Sequence, residues 1–237
     1  MDRRKGKMPH NENISEIQRK IGYRFNNVTL LQTAMTHSSY ANDHRMNKNH
    51  CNERLEFLGD AVLELVSSEF LFTKYQNYPE GELTKLRASL VSEEPLAAVA
   101  KKLNLGDYIM MGKGEELTGG RERNSITSDA VEALLGAIYL DGGMEPARAF
   151  ALKYILTSVD EKRLFHDSKT ILQELVQKYK LGELSYVIVS ESGPDHDKSY
   201  EANCVIDGKV VGTGVGKTKK SAHQQAAFMA IKKLKKK

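Results

Sequence analysis

The hydrophobic periodicity of this 237-residue chain changes once, near residue 160. From Ile14 to Val159 the apolar residues recur at helical spacing, and no convincing strand-like alternation interrupts them. Residue 167 begins another helix-like stretch, which is followed by three strand-like runs, Ser185–Ser190, Ser199–Ile206 and Lys209–Val215. A last helix-like stretch closes the chain. The pattern therefore predicts an all-α domain followed by a small α+β domain of order α-β-β-β-α.

These patterns also set the predicted domain boundaries. We expect a disordered basic N-terminal tail over residues 1–13, a helical domain over 14–159, a short polar linker over 160–166 and the α+β domain over 167–237. Asp207-Gly208 lies between the last two strand-like runs and is a typical two-residue hairpin turn. No apolar core follows the basic N-terminus, so the segment does not read as a secretory signal.

Charge is distributed unevenly between the two predicted domains. Residues 1–166 hold 22 basic and 23 acidic residues, a net charge of −1, whereas residues 167–237 hold 13 lysines and 8 acidic residues, a net charge of +5. A basic module beside a near-neutral one fits a polyanionic ligand. Charge alone is also compatible with a solubilising Lys-rich tail.

Several function classes are not indicated. Cys51 and Cys204 are too few and too far apart for a disulfide framework or a zinc site, so we expect free thiols and a cytoplasmic location. No apolar run approaches the ~20 residues that span a bilayer, so no membrane association is expected. Gly112-Lys113-Gly114 lacks the spacing of a phosphate-binding loop, and no nucleotide cofactor is expected.

Two groups of carboxylates have helical spacing. Glu53, Glu56 and Asp60 lie at i, i+3 and i+7 and share one helix face, where like charges repel unless solvent or a cation screens them. Asp129 and Glu132 lie at i and i+3 in an otherwise apolar segment, where carboxylates are costly unless they are paired or bind metal. Together they could hold Mg²⁺, which prefers oxygen ligands. Spacing alone leaves ordinary solvated helix faces as the alternative.

The motifs around these carboxylates resemble a known family. The segment Asn52–Leu63 resembles the signature of ribonuclease III, and four other segments agree with it: Thr36–Tyr40, Glu80–Ala88, Gly119–Arg121 and Ser125–Ala133. The resemblance covers almost the whole chain. It implies an all-α endonuclease domain that hydrolyses double-stranded RNA with Mg²⁺, for which Mn²⁺ can substitute. It also implies products with 5′-phosphate and 3′-hydroxyl ends and short 3′ overhangs, and a role in processing ribosomal and other structured precursors.

The resemblance assigns roles to individual residues. Four carboxylates match the metal ligands of the family: Glu56, Asp60, Asp129 and Glu132. Of these, Asp60 and Glu132 match the positions most directly tied to cleavage. Glu53 and Glu80 match acidic residues that line the catalytic valley. Phe57 matches an apolar residue that inserts into the partner subunit of a homodimer, although sequence alone would favour a core Phe.

Two neighbouring residues are not assigned to the chemistry. Glu64 extends the acidic face by one turn, and we expect it to be solvated or salt-bridged. His37 has no partner residue within sequence reach that would make it a general base, so a structural role is favoured.

The basic module resembles a double-stranded RNA-binding domain. Its predicted RNA-binding residues are Gln173, Glu174, His196, Lys217, Lys219 and Lys220. The three lysines cluster at a predicted helix N-terminus, where backbone N–H groups already favour phosphate. The family usually has Arg-Ser where this chain has Lys217-Thr218, which preserves charge and hydroxyl.

Two alternative functions remain open at this point. A duplex-RNA-binding regulator that does not cleave predicts loss of the carboxylates, all of which are present. A helical enzyme that uses Mg²⁺ on a diphosphate substrate would not need the basic module.

Overall fold

The computed structural model describes residues 11–194 and 197–234, and these divide after Ser158 into two compact units. Residues 1–10 of the predicted N-terminal tail lie outside the described residues. The first helix begins at Asn11, so the last three residues of that predicted tail are helical.

The first unit is helical, as predicted. Its α-helices are α1 (Asn11–Ile21), α2 (Val28–Ala34), α3 (Ser38–Asp43), α4 (Glu53–Lys74), α5 (Glu80–Val91), α6 (Glu93–Leu103), α7 (Lys113–Leu117), α8 (Asn124–Gly142) and α9 (Met144–Phe150). A π-helical turn, Ala151–Ile155, follows α9. In the described part of this unit, β-type pairing is limited to one isolated bridge between Thr36 and Met110.

Helix α8 forms the centre of the first unit. Every residue from Ala133 to Ile138 is buried, and α2, α4, α6 and α9 pack around it. This segment is apolar on all sides, which is the pattern expected of a helix in a domain core. The segment Asp141-Gly142-Gly143 predicts a helix stop, and Gly143, at a φ of 83°, ends α8 there.

The second unit contains the predicted α-β-β-β-α order. Its elements are α10 (Val159–His166), α11 (Ser168–Lys178), β1 (Leu184–Ser192), β2 (Ser199–Ile206), β3 (Lys209–Gly216) and α12 (Lys219–Leu234). The strands form one antiparallel sheet in the order β1-β2-β3. Asp207 and Gly208 both have positive φ values, 50° and 74°, as the predicted two-residue hairpin requires.

The predicted linker is a helix that belongs to the second unit. Val159 is buried, and the Phe165 ring meets the Phe228 ring edge-on with centroids 5.4 Å apart. The Gln224 side chain donates a hydrogen bond to the Phe165 carbonyl at 3.0 Å. Polar composition alone suggested a linker, but acidic residues precede basic ones in this segment, and that order favours a helix.

The core of the second unit lies between the sheet and helices α11 and α12. Leu172, Cys204 and Ile231 are buried there. Gly212 and Gly214 of β3 let α12 approach the sheet backbone to backbone, since a Cβ at either position would overlap the main chain around Ala226. Cys51 and Cys204 are both buried as thiols, the form that the sequence predicted. Within the described ranges, no helix combines the length and apolar character needed to cross a bilayer.

Candidate functional site

The carboxylates are brought together where α4 crosses α8. The two helices touch at Gly59 and Gly136, where a Cβ would overlap the carbonyl oxygen of Glu132 or of Leu55. Only glycine permits this backbone approach. Because the crossing lies between Glu56 and Asp60 on one helix and close to Glu132 on the other, it fixes both sets of carboxylates at one place.

Three carboxylates form a tight cluster at this crossing. One oxygen from each of Glu56, Asp129 and Glu132 lies within 4.8 Å of the others, and all three residues are half-buried. The donors are oxygen atoms only, which is the ligand type that hard divalent cations prefer. The residues therefore fit a site for such an ion, whereas without one the cluster is repulsive.

This repulsion, together with burial, raises the pKa values of two of the three carboxylates. Desolvation, followed by the charges of Asp60, Glu56 and Asp129, raises the pKa of Glu132 to about 8. Desolvation and the charges of Asp129, Glu53 and Asp60 raise the pKa of Glu56 to about 7. Both groups thus lose their charge near neutral pH unless a cation compensates for it.

Asp129 has additional neighbours that the sequence analysis did not assign to the site. Burial raises its pKa, Ser128 and the charge of His37 lower it, and the charge of Glu93 raises it. The Ser128 hydroxyl lies 3.5 Å from the carboxylate. Glu93 begins α6, far from the acidic motifs in sequence, and no spacing pattern pointed to it.

The other predicted acidic residues lie at different depths. Asp60 is exposed and outside the tight cluster, but its charge acts on both Glu132 and Glu56. Glu53 is also exposed and acts on Glu56. Glu80 is exposed at the start of α5, where it accepts a hydrogen bond from the Thr84 hydroxyl at 2.8 Å. Glu80 is not among the charges that shift the cluster.

His37 has the structural role that the sequence favoured. It caps α3, and its Nδ1 accepts from the backbone N–H of Ser39 at 3.3 Å. The Ser39 hydroxyl accepts in turn from the backbone N–H of Gly112 at 2.9 Å. One residue earlier, the Thr36 carbonyl accepts from the backbone N–H of Asn52 at 2.8 Å. The segment thus positions the start of α4 and hence the signature carboxylates.

Two further side chains support the frame around the site. Arg121 donates to the carbonyls of Gly106 and Ile109 at 2.7 and 2.9 Å and so anchors the segment that leads into α8. Glu64, which was predicted to be solvated or salt-bridged, forms a salt bridge with Arg87 of α5 at 2.9 Å.

An apolar stripe runs along the outer face of α4. Phe57 is 80% exposed, and Leu65 and Phe72 are also largely exposed on the same helix. The alternative that Phe57 is a core residue is wrong within the single chain. Large exposed apolar side chains grouped on one face are typical of a protein–protein contact.

The predicted RNA-binding residues lie on the surface of the second unit. Lys217, Lys219 and Lys220 are exposed and brought together at the start of α12. The Thr218 and Ser221 side chains cap this helix reciprocally, each hydroxyl accepting the backbone N–H of the other residue.

One of these lysines has an acidic partner, and the other predicted RNA contacts come from other segments of the chain. Lys217 forms an exposed ion pair with Asp197. Gln173 and Glu174 are exposed in the middle of α11. His196 lies outside the described residues.

Two helix glycines mark the crossing of α4 and α8, and the sequence analysis did not interpret them. Gly59 and Gly136 each interrupt a strongly helical pattern at a cost of about 1 kcal/mol relative to alanine. An isolated glycine at such a position often marks close packing, and here it marks the helix crossing that assembles the site.

Comparison with known proteins agrees with both units. Residues 27–159 match the family model described as Ribonuclease-III-like, and residues 168–234 match the double-stranded RNA binding motif. Ribonuclease 3 of Geobacillus sp. (strain WCH70) is 50% identical over 94% of this chain and 91% of its own. Ribonuclease 3 of Desulforamulus reducens is 50% identical over 94% and 92%.

A solved structure is similar as well. The nuclease domain of ribonuclease III from Campylobacter jejuni is 49% identical, with a TM-score of 0.57 over 61% of this chain and 96% of that chain.

A helical domain with a carboxylate cluster, followed by a duplex-RNA-binding module, defines a nuclease that acts on double-stranded RNA. The chain belongs to the ribonuclease III family and is a double-stranded RNA endoribonuclease. The family depends on metal, and the carboxylate cluster fits that requirement.

Proposed function

We propose that the chain hydrolyses duplex RNA with Mg²⁺ held by Glu56, Asp60, Asp129 and Glu132. The observation that carries this proposal is the half-buried cluster of three carboxylates within 4.8 Å. Its raised pKa values indicate a site built to receive positive charge. When bound, the ion supplies an activated water and stabilises the leaving oxygen. Mn²⁺, which also accepts oxygen ligands, can replace it.

The acidic residues of the site have different proposed roles according to how deeply they are buried. Glu56, Asp129 and Glu132 form the partly desolvated base of the site. Asp60 is exposed, and its charge acts on Glu132, which supports its assignment with Glu132 to the cleavage step. Glu53 and Glu80 are exposed and would add negative charge along the proposed catalytic valley.

We infer that the active enzyme is a homodimer in contact through α4. The exposed stripe of Phe57, Leu65 and Phe72 supports this, since leaving it in water is unfavourable. The structure report on the Campylobacter jejuni relative refers to a region involved in dimer formation of its nuclease domain. Two sites related by a two-fold axis would cut opposite strands and leave short 3′ overhangs.

The second unit is proposed to hold the duplex for the nuclease unit. Lys217, Lys219 and Lys220 would contact phosphates across the major groove, and the start of α12 would add its backbone N–H groups. Gln173 and Glu174 would contact one minor groove and His196 another. We place the functional domain boundary after residue 158, so that α10 is part of the RNA-binding domain.

A defined duplex tests this proposal. We expect Mg²⁺-dependent cleavage of a labelled RNA duplex, with 5′-phosphate and 3′-hydroxyl ends and a short 3′ overhang, and faster cleavage of hairpin precursors of ribosomal RNA than of single strands. Blunt products or 3′-phosphate ends would contradict the proposed arrangement of sites and the proposed chemistry. The sedimentation coefficient of the same sample tests the dimer.

A further inference from the structure

An apolar groove of about 470 Å³ lies on the second unit, apart from the residues assigned to RNA. Four residues of β3, 210–213, line one side, and Met229, Lys232 and Lys233 of α12 line the other. Val210 is 51% exposed and Met229 43% exposed, so the groove presents apolar side chains to solvent. Nothing in the proposed cleavage of RNA uses this surface.

The groove runs along an open strand edge. In the sheet order β1-β2-β3, only β2 pairs with β3 among the described residues, so the outer backbone groups of Lys209–Gly216 face away from the sheet. Because α12 lies directly on β3 at Gly212 and Gly214, its exposed side chains flank that edge. An unpaired strand beside an apolar groove is the arrangement that accepts an added strand.

Charge decides which strand can fit. Lys209 begins β3, and Lys232 and Lys233 line the groove, while no acidic side chain in the described part of the chain lines it. A second copy of the same edge would bring these lysines against each other, which disfavours self-pairing. An acidic segment would be complementary.

The groove is also displaced from the proposed RNA contacts. Met229 follows Lys220 by nine positions on α12, which is about 14 Å along the helix axis. Apolar walls offer little to phosphates, whereas they suit aliphatic side chains. A duplex on the lysines at the start of α12 therefore leaves the groove available.

We propose that this groove binds an extended segment of a partner protein with alternating aliphatic and acidic residues, which adds to β3 as a fourth strand. Alternate side chains of a strand point to opposite sides. Val210 pairs with Val205 and lies on the face of the sheet away from α12, whereas Lys209 pairs with Ile206 on the side where α12 packs. The aliphatic side chains of the added strand would therefore contact Val210, and the acidic ones would lie on the α12 side, next to Met229 and near Lys209 and Lys233. The site would recruit the nuclease to a partner without blocking the duplex.

The probe is a fluorescein-labelled peptide of four Glu-Val repeats, titrated with the full chain and followed by anisotropy. We expect saturable binding that weakens with salt, as screened rim charges require. Val210→Glu and Met229→Glu should each weaken it by about tenfold or more. Val187→Glu is the matched control, because Val187 is 50% exposed on β1, at the opposite edge of the sheet.

Two further measurements distinguish addition of the peptide as a strand on β3 from nonspecific binding. Lys233→Glu should lower affinity for the Glu-Val peptide and raise it for a Lys-Val peptide. Amide hydrogen exchange should slow in β3 and not in β1 when the peptide binds. Duplex cleavage should be unchanged in the Val210 and Met229 variants, which also shows that they fold.

Four results would overturn the proposal. They are no binding of the Glu-Val peptide, equal loss of binding in the Val187→Glu control, a matching loss of duplex RNA affinity in Val210→Glu, and a change of oligomeric state in that variant. The third result would identify the groove as an RNA surface and the fourth as a contact between copies of the chain.

Discussion

The variant Glu132→Gln removes one charge from the carboxylate cluster and keeps the shape of the side chain. The pKa of Glu132 is about 8 in the folded chain, against an ordinary value of 4.5. Between these pH values the folded, metal-free chain holds a proton that the unfolded chain has lost. The free energy of unfolding therefore falls as pH rises from about 5 to 8, because the native state binds more protons.

The magnitude follows from that shift. If the whole pKa shift of Glu132 were converted into free energy of unfolding, it would give several kcal/mol. Solvent reaches this half-buried site, and we therefore expect an effect of about 2 kcal/mol. In EDTA we expect the variant to match the parent near pH 5 and to exceed it by about 2 kcal/mol at pH 9. For a unit of this size that is about 4–8 °C in Tm. Thermal unfolding at the two pH values measures it.

Activity should change in the opposite direction. A neutral amide oxygen is a weaker ligand for a hard cation, and loss of several kcal/mol of stabilisation corresponds to about 10³-fold in cleavage rate. Duplex binding should survive, since Lys217, Lys219 and Lys220 are unchanged, and added Mn²⁺ should restore part of the rate. Glu145→Gln is the matched control, because Glu145 is 88% exposed at its side chain on α9.

Single-turnover cleavage with a parallel gel-shift assay separates these effects. Cleavage by Glu132→Gln at nearly the parental rate in Mg²⁺ would show that Glu132 is not a ligand. Equal stability of both proteins at pH 9 without metal would show that the cluster is not repulsive.

Three other perturbations test the frame, the dimer and the division of labour. Gly59→Ala should lower the free energy of unfolding by about 1–3 kcal/mol and remove most of the cleavage, because a Cβ there forces α4 away from α8. Gly81→Ala, where a Cβ meets no atom within 4 Å, should leave Tm unchanged or raise it slightly. Phe57→Glu should shift sedimentation toward monomer, and Leu117→Glu, at another exposed apolar side chain, should not; unchanged sedimentation of Phe57→Glu would refute the α4 contact. Truncation after residue 158 should leave cleavage at low salt and abolish it at physiological salt, because the lost phosphate contacts matter most there; full activity at high salt would contradict this.

Much of the fold was predictable because its signals are local. The long apolar run of α8, the stop at Gly143 and the Asp207-Gly208 hairpin each depend on neighbouring residues, and the structure places all three as predicted. The short segment that became α10 was not predictable in this way. Its helix is stabilised by packing on α12, which lies far along the chain.

The sequence named the carboxylates that the structure brings together at the candidate site, but it predicted their geometry only in part. Helical spacing put Glu56 and Asp60 on one face and Asp129 beside Glu132, but spacing within a helix cannot show that two helices meet. That information was in Gly59 and Gly136, whose meaning depends on each other. The neighbours of Asp129, His37 and Glu93, come from distant segments and carry no pattern that would associate them.

The central claim is that the carboxylate cluster holds the divalent ion that cuts duplex RNA. The most direct measurement incubates long duplex RNA with the purified chain in Mg²⁺, in EDTA, and in EDTA followed by excess Mg²⁺, and resolves the products on a gel. We expect short duplex fragments in the first sample, intact RNA in the second and restored cleavage in the third. Fragments in EDTA, or intact RNA in Mg²⁺ despite a gel shift, would contradict the claim, and the second result would identify a binding protein that does not cleave.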